Sequence, residues 1–202
     1  MNLLFVRHGK DSDQHRGGWS QLDLLPEGKR EAKMLADYLE RHKEDYHFTK
    51  MITSDLKRAE TTATILVEAL QLPLEKESSL RETNNGDLAG MLNSEADQKF
   101  PRLYFRSLAM DEHYPNGESP REFYQRIKTW FQRFLQENDD SDETQIVVTH
   151  GGVINIIYHL VNQIEWTNKS NLFHVKHCSI SLLNTKTLVF EVENQTDFLE
   201  EK

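Results

Sequence analysis

The 202 residues include 37% hydrophobic and 28% charged side chains, a formal net charge of −9 and one cysteine, Cys178. A chain of this length buries about 70% of its unfolded surface, enough for a large core, and one cysteine excludes an internal disulfide framework and suits a reducing, cytoplasmic setting. The acidic balance argues against a nucleic-acid partner, which needs basic stripes, and no apolar run approaches the roughly 18 residues of a membrane span. The start does not read as a signal peptide, because Arg7 and His8 interrupt the first apolar stretch. One domain over residues 1–202 is expected, with a lid from residues 83–118.

In chain order, Leu3-Leu4-Phe5-Val6 is short, apolar and without helical period, so residues 2–7 read as a buried strand. Residues 9–25 are polar and carry Gly17-Gly18, a loop. Pro26 is a suitable first helical residue, and Ala32, Leu35, Ala36 and Leu39 recur at helical spacing to about His42. Lys50 to Thr53 read as a second strand. Ser54 or Asp55 is expected to cap the next helix, with Ala59, Ala63, Leu66 and Leu70 as its apolar stripe and Pro73 beyond its end. Leu74 to Lys76 give a brief strand. Residues 80–118 are the least regular part, with short helices expected near 93–109.

Ser119-Pro120-Arg121-Glu122 predicts a capped helix start, with Phe123, Ile127, Trp130, Phe131 and Phe134 on its buried face. Asn138 to Asp142 read as an acidic, solvated turn. Gln145 to Thr149 are a buried strand and Gly152 to Val161 an apolar helix. Ser179 to Leu183 and Leu188 to Glu193 are expected to pair as a hairpin around Asn184-Thr185-Lys186. Strands alternating with helices predict an α/β fold of three layers, α/β/α, with a mixed, mostly parallel sheet.

Two of these strands end in histidine, Arg7-His8-Gly9 and Thr149-His150-Gly151. The carboxyl ends of neighbouring strands form the ligand crevice of an open α/β sheet, so adjacency of the two strands would bring both imidazoles and Arg7 to one place. A neutral imidazole is a competent nucleophile near neutral pH, and Gly9 leaves room for a ligand near the backbone. Arg58, near the start of its helix, adds a planar cationic fork where free N–H groups already favour an anion. His150 can donate to a phosphoryl oxygen. Glu82 can protonate a leaving oxygen if its environment raises its pKa. Each group alone also fits a plainer role: a structural histidine, a surface pair between Arg58 and Glu60, a solvated glutamate. His42, His47, His113, His159, His174 and His177 show no metal-ligand spacing, and no metal is expected; Cys178, ahead of a strand, reads as a small core residue rather than a nucleophile.

Taken together, the motifs resemble the histidine phosphatase superfamily, the phosphoglycerate-mutase-like group (branch 1). The matching pieces are Leu4-Phe5-Val6-Arg7-His8-Gly9, Ser54-Asp55-Leu56-Lys57-Arg58-Ala59-Glu60-Thr61, Leu80-Arg81-Glu82-Thr83-Asn84-Asn85-Gly86, Gly117-Glu118-Ser119 and Val148-Thr149-His150-Gly151-Gly152. They occur in the family's order across nearly the whole chain. The resemblance implies that His8 takes the phosphoryl group, that Arg7, Arg58 and His150 hold its oxygens, and that Glu82 serves as proton donor and then as base toward water. Gly9, Gln14 and Gly151 would complete the substrate contacts. It implies no metal or organic cofactor.

Three departures from the family pattern stand out. Lys10-Asp11 replace the usual acidic residue and threonine. The phosphate-binding asparagine usual a few residues later is either replaced by Gln14, which stands near its place, or missing. Asp87-Leu88-Ala89-Gly90 replace a tryptophan-glutamate pair. The expected activity is hydrolysis of a small phosphomonoester, with Tyr104, Phe105, His113 and Tyr114 as candidate contacts to its leaving group. The alternatives are phosphoglycerate mutase activity and a non-catalytic module that binds a phosphorylated ligand. Nothing in the sequence marks a subunit interface.

Overall fold

The computed structural model describes residues 1–137, 142–170 and 172–200. Residues 138–141 of the expected acidic turn lie outside them. Among the described residues six strands form one sheet in the order β3-β2-β4-β1-β5-β6. They are β1 (Asn2–Arg7), β2 (Phe48–Thr53), β3 (Leu74–Lys76), β4 (Thr144–Thr149), β5 (Ile180–Asn184) and β6 (Val189–Gln195). The first four are mutually parallel, and β5 and β6 add an antiparallel hairpin beside β1. This is the mixed, mostly parallel sheet expected.

The helices are α1 (Pro26–Arg41), α2 (Lys43–Tyr46), α3 (Lys57–Leu70), α4 (Asn93–Lys99), α5 (Pro120–Glu137) and α6 (Gly151–Val161). Alternation along the buried strands sends side chains to two cores. Leu4, Val6, Met51, Ile146 and Val148 meet Ala32, Leu35 and Leu39 of α1 and Ala59, Ala63 and Leu66 of α3. Leu3, Phe5 and Val147 meet Phe123, Ile127 and Trp130 of α5 and Ile154 and Ile157 of α6. Cys178 is buried in the first of these cores, and burial raises its thiol pKa, as suits a small apolar residue.

The capping box at α5 is present. Ser119 Oγ accepts from the Glu122 amide at 3.2 Å, and the Ser119 amide donates to Glu122 Oε2 at 3.0 Å. The cap expected at α3 is not. That helix begins at Lys57, with Leu56 ahead of it and no side-chain cap. Asp55 instead pairs through both oxygens with Arg81, and Ser54 is drawn toward β4, as its amide donates to Val148 O at 3.0 Å.

Residues 83–118 carry α4, short 3-10 turns and a small core of Leu88, Leu108 and Tyr114. The loop after β1 is laced to them: Arg16 N donates to Met91 O, Gly90 N to Arg16 O and Asn93 N to Gln14 O. Among the described residues no helix is long and apolar enough to cross a membrane.

Candidate active site

β1 and β4 are neighbours in register, with Arg7 opposite Thr149. The residues that follow, His8 and His150, therefore leave the sheet side by side. The His8 amide donates to Thr149 O at 3.0 Å, and the two imidazole centroids lie 5.0 Å apart. Both side chains are buried. His8 Nδ1 is 2.8 Å from its neighbour's carbonyl, Gly9 O. A carbonyl only accepts, so Nδ1 carries the proton and Nε2 keeps its lone pair. Burial, then the nearby His150 and guanidinium groups, push the His8 pKa well below its ordinary value. The imidazole is neutral at neutral pH.

Arg58, the second residue of α3, points its Nε at His8 Nε2 from 3.2 Å. Its other nitrogens donate to Ser20 O at 3.3 Å and Gly18 O at 2.8 Å, which fixes the fork. Arg58 makes no pair with Glu60, which bonds Lys76 instead. Arg7 donates to Val175 O and lies 2.7 Å from His177 Nε2. Burial lowers the pKa of both guanidinium groups, and Asp11 and Glu82 oppose that shift.

His150 Nε2 lies 2.8 Å from Ser54 Oγ. Arg7 Nε and His150 Nδ1 are buried without a hydrogen-bond partner among the described residues, and both belong to the crevice at the ends of β1 and β4. Orphaned buried polar groups are costly in a folded protein. A tetrahedral oxyanion between Arg7, Arg58 and His150 would supply the acceptors. Burial and the arginine charges hold the His150 pKa well below its ordinary value as well.

Glu82 approaches from the other side. Its carboxylate accepts from the Gly152 amide, at the start of α6, and from the Thr83 amide, both at 3.1 Å. Arg126 holds the backbone beneath it, donating to Ser79 O at 2.8 Å, Arg81 O at 2.9 Å and Glu82 O at 3.1 Å, and pairing with Glu118 at 2.6 Å. A cavity of about 330 Å³ beside Arg7 and Glu82 is walled by Phe105, Phe123, Trp166 and Phe173. A second, of about 680 Å³, is lined by Arg16, Tyr104, Phe105, Arg106 and Tyr114.

The structure thus brings His8, Arg7, Arg58, His150 and Glu82 to one crevice, with Gly151 against the Arg7 guanidinium, where a Cβ would stand 3.4 Å from Nε. Gln14 is not among them. Its side chain is exposed and its carbonyl is engaged by Asn93, because the loop after β1 turns away to bridge Leu92 through His15. Gly9 serves packing rather than ligand approach. A Cβ there would stand 2.4 Å from the Gly28 carbonyl oxygen, and the Gly9 amide donates to Thr62 Oγ1. Of the four leaving-group candidates, Tyr104, Phe105 and Tyr114 line the second cavity, while His113 pairs with Glu122.

Sequence reasoning missed Ser54, Arg126, Asp11 and His177. The amides leading into β5 pair with the end of β1, Cys178 N donating to Arg7 O at 3.0 Å, so His177 arrives 5.7 Å from His8, centroid to centroid. The donor atoms of His8, Asp11 and His177 lie within 4.8 Å of one another, a juxtaposition the sequence spacing does not show. Those donor types suit zinc. The setting suits an anion, because Arg7 donates toward the His177 nitrogen and Arg58 toward His8, and two permanent positive charges repel a dication.

The profile of the histidine phosphatase superfamily (branch 1) matches residues 3–197. Among curated proteins, a 2,3-bisphosphoglycerate-dependent phosphoglycerate mutase of Cytophaga hutchinsonii is 29% identical over 180 residues, 86% of this chain and 81% of that protein. Phosphoserine phosphatase 1 of Hydrogenobacter thermophilus is 31% identical over 156 residues, 74% of this chain and 71% of that protein. Among solved structures, a putative alpha-ribazole-5'-P phosphatase from Escherichia coli superposes with a TM-score of 0.82 at 23% identity, over 97% of each chain, and shows the same fold. The chain belongs to the histidine phosphatase superfamily, branch 1, as its motifs lead one to expect.

Proposed function

We propose that this protein is a metal-independent phosphatase that hydrolyses a small phosphomonoester through a phosphohistidine at His8. The observation that carries the reading is the unprotonated Nε2 of His8, buried and faced by the Arg58 guanidinium at 3.2 Å. In the first step Nε2 attacks phosphorus and the bond to the leaving oxygen breaks. Glu82 gives that oxygen its proton, while Arg7, Arg58 and His150 bind the three remaining oxygens. In the second step Glu82, now a carboxylate, takes a proton from water as the water oxygen attacks phosphorus. The nitrogen–phosphorus bond breaks, releasing phosphate and restoring both groups.

Hydrolysis is favoured over transfer to a second hydroxyl by the cavity of about 330 Å³ that reaches Glu82 and gives water a route. The relatives include both mutases and phosphatases, so product partition is the deciding test. Wild-type protein treated with chelator should release phosphate from an aryl phosphate, and His8→Ala should not. With a phosphoglycerate, free phosphate should exceed the isomerised product. A His8→Ala protein that retains hydrolysis sinks the reading. The buried, unpaired Cys178 supports a cytoplasmic setting.

A further inference from the structure

Asp11 stands where the family pattern has threonine, and the reaction just described gives it no task. Its carboxylate is nevertheless inside the site. Oδ2 lies 3.4 Å from Arg58 Nε, the same nitrogen that faces His8 Nε2. Oδ1 lies 3.6 Å from His177 Nε2, which is itself 2.7 Å from the Arg7 guanidinium. Each arginine therefore meets an internal group: Arg58 a carboxylate, Arg7 an imidazole. The groups facing Asp11 are Arg7 at the end of β1 and His8 just after it, Arg58 from α3 and His177 from the segment before β5. Burial alone would raise the Asp11 pKa. His177 and the Arg58 guanidinium outweigh it and hold the value at about 2, so the carboxylate is charged at neutral pH.

A phosphorus bonded to His8 Nε2 brings its oxygens within reach of Arg58 Nε, the donor Asp11 already faces. We infer that Asp11 is an internal competitor for the phosphoryl anion: its carboxylate holds the place of one phosphoryl oxygen, and any tetrahedral dianion entering the site must turn it out. This rests on the phosphohistidine reading and adds a specificity element to it. A phosphoester offsets the displacement through its leaving group, bound in the aromatic cavities beyond Glu82. Free phosphate has no such group, so the product is held weakly and leaves. Asp11 is a specificity-determining residue that acts by exclusion.

The test uses tungstate, a tetrahedral dianion without a leaving group, titrated calorimetrically at neutral pH into wild-type protein, Asp11→Asn and Asp11→Ser. The asparagine variant keeps the shape of the side chain and removes its charge, so it reports even if the serine variant folds poorly. Both should bind tungstate at least about tenfold more tightly than wild type, the affinity of one charge-assisted hydrogen bond freed from competition. Inhibition by phosphate should tighten in parallel. Equal or weaker binding by Asp11→Asn, with tungstate still competitive against substrate in the wild type, overturns the inference and leaves the phosphohistidine reading standing. Unimpaired hydrolysis by His8→Ala overturns both.

Discussion

Gly152→Ala isolates the proton donor from the rest of the site. A Cβ at this position would stand 2.3 Å from Glu82 Oε1 and 3.0 Å from its Cδ. Ordinary contact between such atoms is nearer 3.4 Å, so the carboxylate must retreat by about 1 Å and loses its bond from the Gly152 amide. The atom that gives way is the end of a flexible side chain, and alanine is the better helix former by up to about 1 kcal/mol. The fold should therefore hold, with a melting temperature no lower than wild type. A misplacement of about 1 Å at a catalytic group costs on the order of 10²-fold, or about 2.7 kcal/mol of barrier. That loss should fall where a proton is needed. With an alkyl phosphate, whose alkoxide is a poor leaving group, kcat/KM, which reports the phosphorylation step without the hydrolysis that Glu82 also serves, should drop about 100-fold. With p-nitrophenyl phosphate, whose phenolate leaves unprotonated, it should drop less than about tenfold. Steady-state kinetics on the two substrates decide the matter. Equal losses on both, or none on either, would refute Glu82 as the acid.

The depressed His8 and His150 pKa values give stability a defined pH window. The unfolded imidazoles take up protons below about pH 6.5 while the buried ones resist, so stability is complete above that pH and declines as pH falls. At pH 5.5 each contributes a loss of up to about 1.4 kcal/mol, and His150→Gln should recover about half of the combined loss; a flat profile from pH 7 to 5.5 in denaturant melts contradicts the burial argument. Arg126→Met strips the donors from three carbonyls and leaves the Glu118 carboxylate with the Asn84 amide but without its guanidinium, which should cost about 3 kcal/mol of unfolding free energy. A cost under about 1 kcal/mol would remove Arg126 as the support beneath Glu82. Ser54→Ala releases the His150 ring from its partner at 2.8 Å and should lower kcat about tenfold with little change in melting temperature. Unchanged kcat would show that the hydroxyl does not set the ring's proton.

What the sequence made legible follows from how local each signal is. β1 and β4 are apolar runs buried on both faces, and their terminal histidines needed only adjacency to meet. The Ser119–Glu122 box depends on four consecutive residues and is present as read. Ser54 shows the limit of such reading. A serine before a helix suggests a cap, yet the turn from β2 passes beside β4, and the hydroxyl serves a histidine 96 residues away. His177 carries no local signal because its place is set by β5 lying antiparallel to β1, a long-range pairing that no local spacing encodes. Gln14 lies elsewhere for the opposite reason: it stands in the chain near the place of the family's asparagine, but the loop is tied to Leu92 and Asn93 and carries it away from the crevice. Asp11 was visible as a departure, and only the fold shows its carboxylate against Arg58.

The most direct test is to trap the intermediate. Wild-type protein mixed briefly with a 32P-labelled phosphomonoester and quenched into alkali, where phosphohistidine survives, should carry label on the peptide containing His8. The label should disappear on brief acid treatment and be absent from His8→Ala. Turnover with no label on His8, or label on another residue, would contradict the mechanism.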